Sequence, residues 1–198
     1  LRTAPNGPAW PRGYCQSFIR PLQQTGRCRS ARRSSGCSTG DIRLMLDELR
    51  ELYQEVILDH GKKPRNFRRP DVPSHEAAGK NPLCGDQLVV YVEVDKDDNI
   101  TDASFLGKGC AISMASASMM TEIVKGKKVA EAKALFDGFH KMCTLDDFEM
   151  DGSDEDVDFE RLKVLSGVRQ FPVRVKCATL AWHTLDAALD DVDEISTE

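Results

Sequence analysis

NPLCGDQLVVYVEVDKDDNITDASFLGKGC, residues 81–110, carries a strand, a turn, a second strand and the opening of a helix. From Gln87 to Val94 the apolar positions Leu88, Val90, Val92 and Val94 alternate, which predicts a strand with one buried face. Asp97-Asp98-Asn99 supplies a turn, and Ile100 to Leu106 returns as a second strand, so the pair predicts an antiparallel hairpin. Gly107-Lys108-Gly109 ends that strand, and Cys110 opens a helix to about Lys125, with Gly126 as its stop.

Outward from the hairpin, Leu46, Leu49, Leu52, Tyr53, Val56 and Ile57 follow helical spacing, and Gly61 and Pro64 end that helix near His60. Residues 61–83 hold four prolines and many charges, and read as an irregular connection. Downstream, helices are predicted over Val129–Lys141 and after Pro172, the latter through Ala178, Ala181, Leu185 and Leu189. Met114, Met119 and Met120 read as core. The acidic stretch Asp146–Glu160 has no strong period and reads as a solvated insertion. Strands followed by helices predict an α+β fold, a small antiparallel sheet with helices packed on one face.

Residues 1–43 contain eight arginines, no lysine and one acid, a net charge of +7. Against −5 for the whole chain, that leaves −12 on the other 155 residues. So acidic a core is unsuited to nucleic acid, whose binding depends on Lys and Arg releasing counterions. The leader is rich in Pro, Gly, Ser and Arg and has no hydrophobic period, so it reads as disordered. An arginine- and serine-rich leader fits a transit peptide. The sequence, however, begins without Met, and Met45 opens directly onto the first helix, so residues 1–43 are read as a disordered or non-native extension. The domain is expected over 44–190, followed by an acidic tail at 191–198. No apolar run approaches the roughly 18 residues a spanning helix requires.

Seven cysteines, an odd number, and no secretory hydrophobic region near the start predict reduced thiols in a cytoplasmic setting. Cys15, Cys28 and Cys37 lack any CxxC pairing and read as loose thiols; Cys143 reads as structural. Four residues sit at element edges: Cys84 and Asp86 before the first strand, Cys110 after the second and Cys177 near the start of the last helix. A hairpin brings the start of one strand beside the end of the other, so Cys84, Asp86 and Cys110 can meet. Gly85 can take positive φ and turn both neighbours inward. Three thiolates and a carboxylate suit tetrahedral Zn²⁺. Spacing alone leaves a second reading open, that of incidental buried cysteines. His60, His75, His140 and His183 lie in different segments and read as surface or capping residues. The basic run Lys62, Lys63, Arg65, Arg68 and Arg69 reads as a solvated loop or as a docking patch for an acidic partner.

ELYQEVILDHGKKPRN, NPLCGD, GKGCAISMASASMMT and FPVRVKCATLAWHTL, in this order, resemble the IscU/NifU N-terminal superfamily of iron–sulfur cluster assembly proteins, and within it the SufU branch. The resemblance spans Leu46 to about Leu189 and implies the SufE/IscU-like fold. It implies that Cys84, Asp86, Cys110 and Cys177 bind the metal, with Cys84 the reactive thiol. Scaffold members of the superfamily carry a histidine before the last cysteine, where this chain has Lys176. They also carry Leu-Pro-Pro-Val-Lys where this chain reads Gln170-Phe171-Pro172-Val173-Arg174, and they lack the acidic insertion. The resemblance therefore implies a zinc-dependent sulfur acceptor that takes persulfide sulfur from a SufS-type cysteine desulfurase for the iron–sulfur assembly machinery. In that role Arg174 and Lys176 either balance the charge of the site or are ordinary exposed residues. The alternatives are a scaffold holding iron or a transient iron–sulfur cluster, and a zinc-stabilised interaction module.

Overall fold

The computed structural model describes the backbone of residues 39–145 and 157–197, with side chains from Glu51 onward. Of the leader expected to be disordered, residues 1–38 lie outside this range, with the loose thiols Cys15, Cys28 and Cys37, while residues 39–43 are helical. The described residues belong to one compact unit, Ser38–Glu198. Helix α1 runs Thr39–Lys62, so it begins ahead of the boundary read at 43/44 and seven residues before Leu46. Pro64, which has no N–H to continue the ladder, follows its end.

Strands β1 (His75–Asn81), β2 (Asp86–Val94) and β3 (Ile100–Lys108) form antiparallel pairs. β4 (Glu194–Ser196) adds in parallel to β1, giving the order β3-β2-β1-β4. The β2–β3 hairpin matches the expectation from the alternating valines. In its register Val90 lies opposite Phe105 and Val92 opposite Ala103, all four buried. Gly107 does not break β3 but belongs to it: an added Cβ would meet Gln87 O at 2.4 Å and Leu88 Cα at 2.7 Å. Only a residue without a side chain lets the two strands pair there.

One expectation is overturned: the irregular connection read at 61–83 contains β1. Within the acidic tail read at 191–198, Glu194–Ser196 forms β4. HEAAGKN has no β-branched residue and carries a glycine, so strand propensity does not announce it; pairing with β2 and burial under a helix create the strand. Ala77, Gly79 and Asn81 face the interior there.

Helices α2 (Ala111–Val124), α3 (Val129–Thr144) and α5 (Pro172–Leu189) pack with the sheet around one core. Trp182 and Phe139, both fully buried, stack at 5.1 Å between ring centroids. Met119 and Met120 are buried in the same core, with Met114 packed against it. The serines and alanines of α2 allow a close approach to α5, where Ser116 Oγ donates to Ala178 O at 2.5 Å. The acidic insertion is corrected in part: residues 146–156 lie outside the described range, but α4 (Val157–Leu162) buries Phe159 and Leu162, and a 3-10 helix, Lys163–Gln170, leads on to α5. Among the described residues no helix is long and apolar enough to cross a membrane.

α5 lies over β1 at Gly79. A Cβ there would fall 2.0 Å from Thr184 Oγ1 and 3.2 Å from Leu180 Cδ1. Two residues along the same strand face is Asn81, and roughly one helical turn before Leu180 is Cys177. That crossing brings Cys177 above the end of β1.

Candidate metal centre

β1 and β2 are joined by Pro82-Leu83-Cys84-Gly85, closed by Gly85 N–H donating to Asn81 O at 2.9 Å. Gly85 has φ of +72°, the left-handed conformation expected of it from sequence. The turn projects Cys84 outward, so its side chain is exposed. Asp86 begins β2 on the interior face and is 1 % exposed.

Cys110 follows β3 as the N-cap of α2, one position ahead of the helix it was expected to open. Its N–H donates to Asp86 Oδ1 at 2.8 Å, and its sulfur lies 4.0 Å from Asp86 Oδ2. Its sulfur also accepts Ser113 N–H at 3.4 Å, as a capping side chain does. Gly109 permits this contact, since a Cβ would sit 2.8 Å from Asp86 Oδ1.

Cys177 completes the group. Its sulfur is 3.0 Å from that of Cys84, and donor atoms of Cys84, Asp86 and Cys177 all lie within 4.8 Å of one another. Cys110 stands at the rim of this trio, linked to it through Asp86. The four residues singled out from sequence therefore meet at one end of the sheet. Asn81 was not singled out. It is 1 % exposed and donates from Nδ2 to Cys177 Sγ at 3.4 Å. Its place before Pro82 marks a turn, and its place at the head of NPLCGD marks the resemblance, but neither points to a sulfur two elements away.

The donor set fits a zinc ion. Zn²⁺ takes thiolate and carboxylate donors at about 2.0–2.3 Å, and the donor atoms of Cys84, Asp86 and Cys177 lie close enough together to surround one ion. The electrostatics agree. Burial raises the Cys177 thiol far above its ordinary value, and the hydrogen bonds with Cys84 and Asp86 and the nearby charge of Cys110 push the same way. Asp86 is buried without an ion pair among the described residues. Such a cluster of anionic donors disfavours its own charge unless a cation is supplied.

Beside the exposed sulfur lies a groove of about 620 Å³, lined mainly by Cys84, Cys110, Ile112, Phe171, Val173 and Cys177. Phe171 and Val173 are exposed at 45 % and 49 %, and the Arg174 guanidinium stacks 4.2 Å above the Phe171 ring. Lys176 instead lines a different cavity, with His140, Cys143 and His183. Cys143 is fully buried, and burial pushes its thiol up to about 12, in keeping with a structural role. His60 is no surface residue: it is 7 % exposed, and its Nδ1 lies 2.9 Å from Ser118 Oγ. The basic run is largely engaged in ion pairs, Arg65 with Asp59, Arg68 with Asp102 and Arg69 with Glu76.

Comparison with known proteins agrees with this geometry. The family described as NifU-like N terminal domain matches residues 52–155. The zinc-dependent sulfurtransferase SufU of Bacillus subtilis is 41 % identical over 135 residues, covering 68 % of this chain and 87 % of that protein. The iron–sulfur cluster assembly scaffold protein IscU of Streptococcus pyogenes is 40 % identical over 149 residues, covering 74 % and 87 %. A crystal structure from Fervidobacterium islandicum AW-1, named as an iron–sulfur cluster assembly scaffold protein for the SUF system, superposes with a TM-score of 0.62. It is 34 % identical and covers 70 % of this chain and 97 % of its own. This chain belongs to the NifU-like N-terminal domain family and is an iron–sulfur cluster assembly protein of the SufU/IscU type.

Proposed function

We propose that the protein is a zinc-dependent sulfur acceptor, taking persulfide sulfur from a cysteine desulfurase onto Cys84 and passing it to the iron–sulfur assembly machinery. The observation that carries this reading is the asymmetry of the donor group. Asp86 and Cys177 are buried, whereas Cys84 rides on an exposed turn, so one donor can leave while the others stay. Cys84, Asp86, Cys110 and Cys177 would hold the ion, which keeps the sulfurs deprotonated at neutral pH. The released Cys84 thiolate attacks the outer sulfur of the partner's persulfide. A new S–S bond forms on Cys84, the partner's S–S bond breaks, and the partner cysteine departs as a thiolate. Asp86, held by the Cys110 N–H, keeps the end of the sheet in place while the turn moves. The apolar groove at Phe171 and Val173 gives the partner a surface from which water is readily displaced.

The names of the IscU relatives favour a second reading, a scaffold on which a cluster is assembled. Mass spectrometry after incubation with desulfurase and cysteine separates the two. The carrier gains one sulfur on Cys84 of the zinc-loaded protein, and Cys84→Ala abolishes stimulation of the desulfurase. A Cys84→Ala variant that still accelerates cysteine turnover, or a stable, transferable cluster formed from iron and sulfide, would overturn the carrier.

A further inference from the structure

The sulfurs of the cluster differ in their hydrogen bonds. Cys110 accepts Ser113 N–H at 3.4 Å, and Cys177 accepts Asn81 Nδ2–H at 3.4 Å. Cys84, among the described residues, accepts no N–H; its sulfur lies 3.0 Å from that of Cys177. An N–H donated to a thiolate withdraws charge from the sulfur, makes it a poorer nucleophile and holds it in place. A thiolate without such a donor remains the electron-rich one.

The orientation of the Asn81 amide is dictated by its surroundings. Leu83 N–H points at Oδ1 from 3.2 Å, and a main-chain N–H can only donate, so the oxygen faces it and the NH₂ faces Cys177. The same residue's carbonyl accepts Gly85 N–H at 2.9 Å, and its β1 position pairs with Asp86 across the hairpin. One buried side chain thus braces the turn that carries Cys84 and marks the sulfur that is not to react.

We propose that Asn81 is a positioning residue that selects the reacting sulfur: its N–H quiets Cys177 and leaves Cys84 as the nucleophile. This rests on the zinc-site reading above. The test uses the full-length, zinc-loaded chain as wild type, Asn81→Ala and Asn81→Asp. Asn81→Ala loses both the donor and the acceptor for Leu83 N–H, whereas Asn81→Asp keeps the acceptor and loses only the donor. The variants differ in charge, so the lost N–H is what they share. Limited alkylation with iodoacetamide, followed by site-resolved mass spectrometry, gives the ratio of label on Cys177 to label on Cys84; the persulfide is mapped in the same way.

Wild type should react at Cys84, and both variants should raise the Cys177 share about tenfold, the lower end of what outer-shell substitutions at metal sites produce. Circular dichroism checks that each variant is folded. An unchanged ratio in folded Asn81→Asp overturns the proposal, whether or not Asn81→Ala shifts, because the residue would then act through the turn alone. A wild type that binds no zinc or takes no sulfur at Cys84 overturns the functional reading and this inference together. A normal wild type with unshifted variants overturns this inference alone.

Discussion

Gly109 offers a way to disturb the site without touching a donor. Its φ is not in the left-handed region, so alanine brings no backbone strain. The new Cβ, however, would lie 2.8 Å from Asp86 Oδ1, 3.1 Å from Cγ and 3.2 Å from Cβ. The carboxylate cannot swing into solvent, being 1 % exposed, so it must turn and give up the 2.8 Å bond from Cys110 N–H. A hydrogen bond to a charged group contributes about 1.5–3 kcal/mol. At 1.36 kcal/mol per factor of ten, Gly109→Ala should weaken zinc binding by about 10- to 150-fold. Competition with a chromophoric chelator measures this, and Gly85→Ala is the control. Gly85, at φ +72°, meets nothing within 4 Å, so alanine there strains the turn by about 1–2 kcal/mol without pressing on Asp86. A Gly109→Ala protein that binds zinc as tightly as wild type would refute the claim that Asp86 is held in place by contact with this glycine.

Removing zinc with a chelator should leave the far-UV circular dichroism intact, because the core around Trp182, Phe139 and Phe105 contains no metal donor. At free zinc 100-fold above Kd, binding adds about 2.7 kcal/mol, so removal should lower Tm by about 5–11 °C. Loss of the helical signal would instead favour a zinc-stabilised interaction module. His60 makes stability depend on pH. Ser118 Oγ accepts Arg65 N–H at 2.8 Å and lies 2.9 Å from His60 Nδ1, inside the fold. Burial, with the Arg65 charge adding to it, holds the His60 pKa below 6.5, so the unfolded chain binds the proton more readily. Its contribution is therefore complete above pH 6.5 and is lost as the pH falls below that value. His183, likewise lowered by burial, adds to the same slope. Thermal melts between pH 5 and 8 should show His60→Asn with a flatter dependence than wild type; an identical slope would refute the assignment.

The β2–β3 hairpin and the convergence of three of the four candidate donors were legible because they depend on local periods. Alternating valines place one face of β2 inward, a short turn returns the chain, and Asp86 and Cys110 then flank the same sheet end. Helices α1, α2, α3 and α5 were legible in the same way, from apolar spacing and from Pro and Gly at their ends, whereas α4 begins in the stretch read as having no period. Cys177 was placed at an element edge near the start of the last helix, but its meeting with the others depends on α5 lying over β1 at Gly79.

β1, β4 and Asn81 were not legible. HEAAGKN becomes a strand because β2 offers it a ladder and α5 a cover, and EIS becomes one because β1 has a free edge. Neither cause is written in those residues' own preferences. Which sulfur is exposed and which accepts an N–H likewise depends on atoms far apart in the chain, Asn81 and Cys177 being 96 positions apart. Local pattern was enough for the candidate donor types, the hairpin and helices α1, α2, α3 and α5, because each follows from neighbours within a few residues. Tertiary packing decided the order of strands, the meeting of Cys84 with Cys177 and the unequal surroundings of the sulfurs, because close approach between distant segments follows from the assembled fold and not from local period.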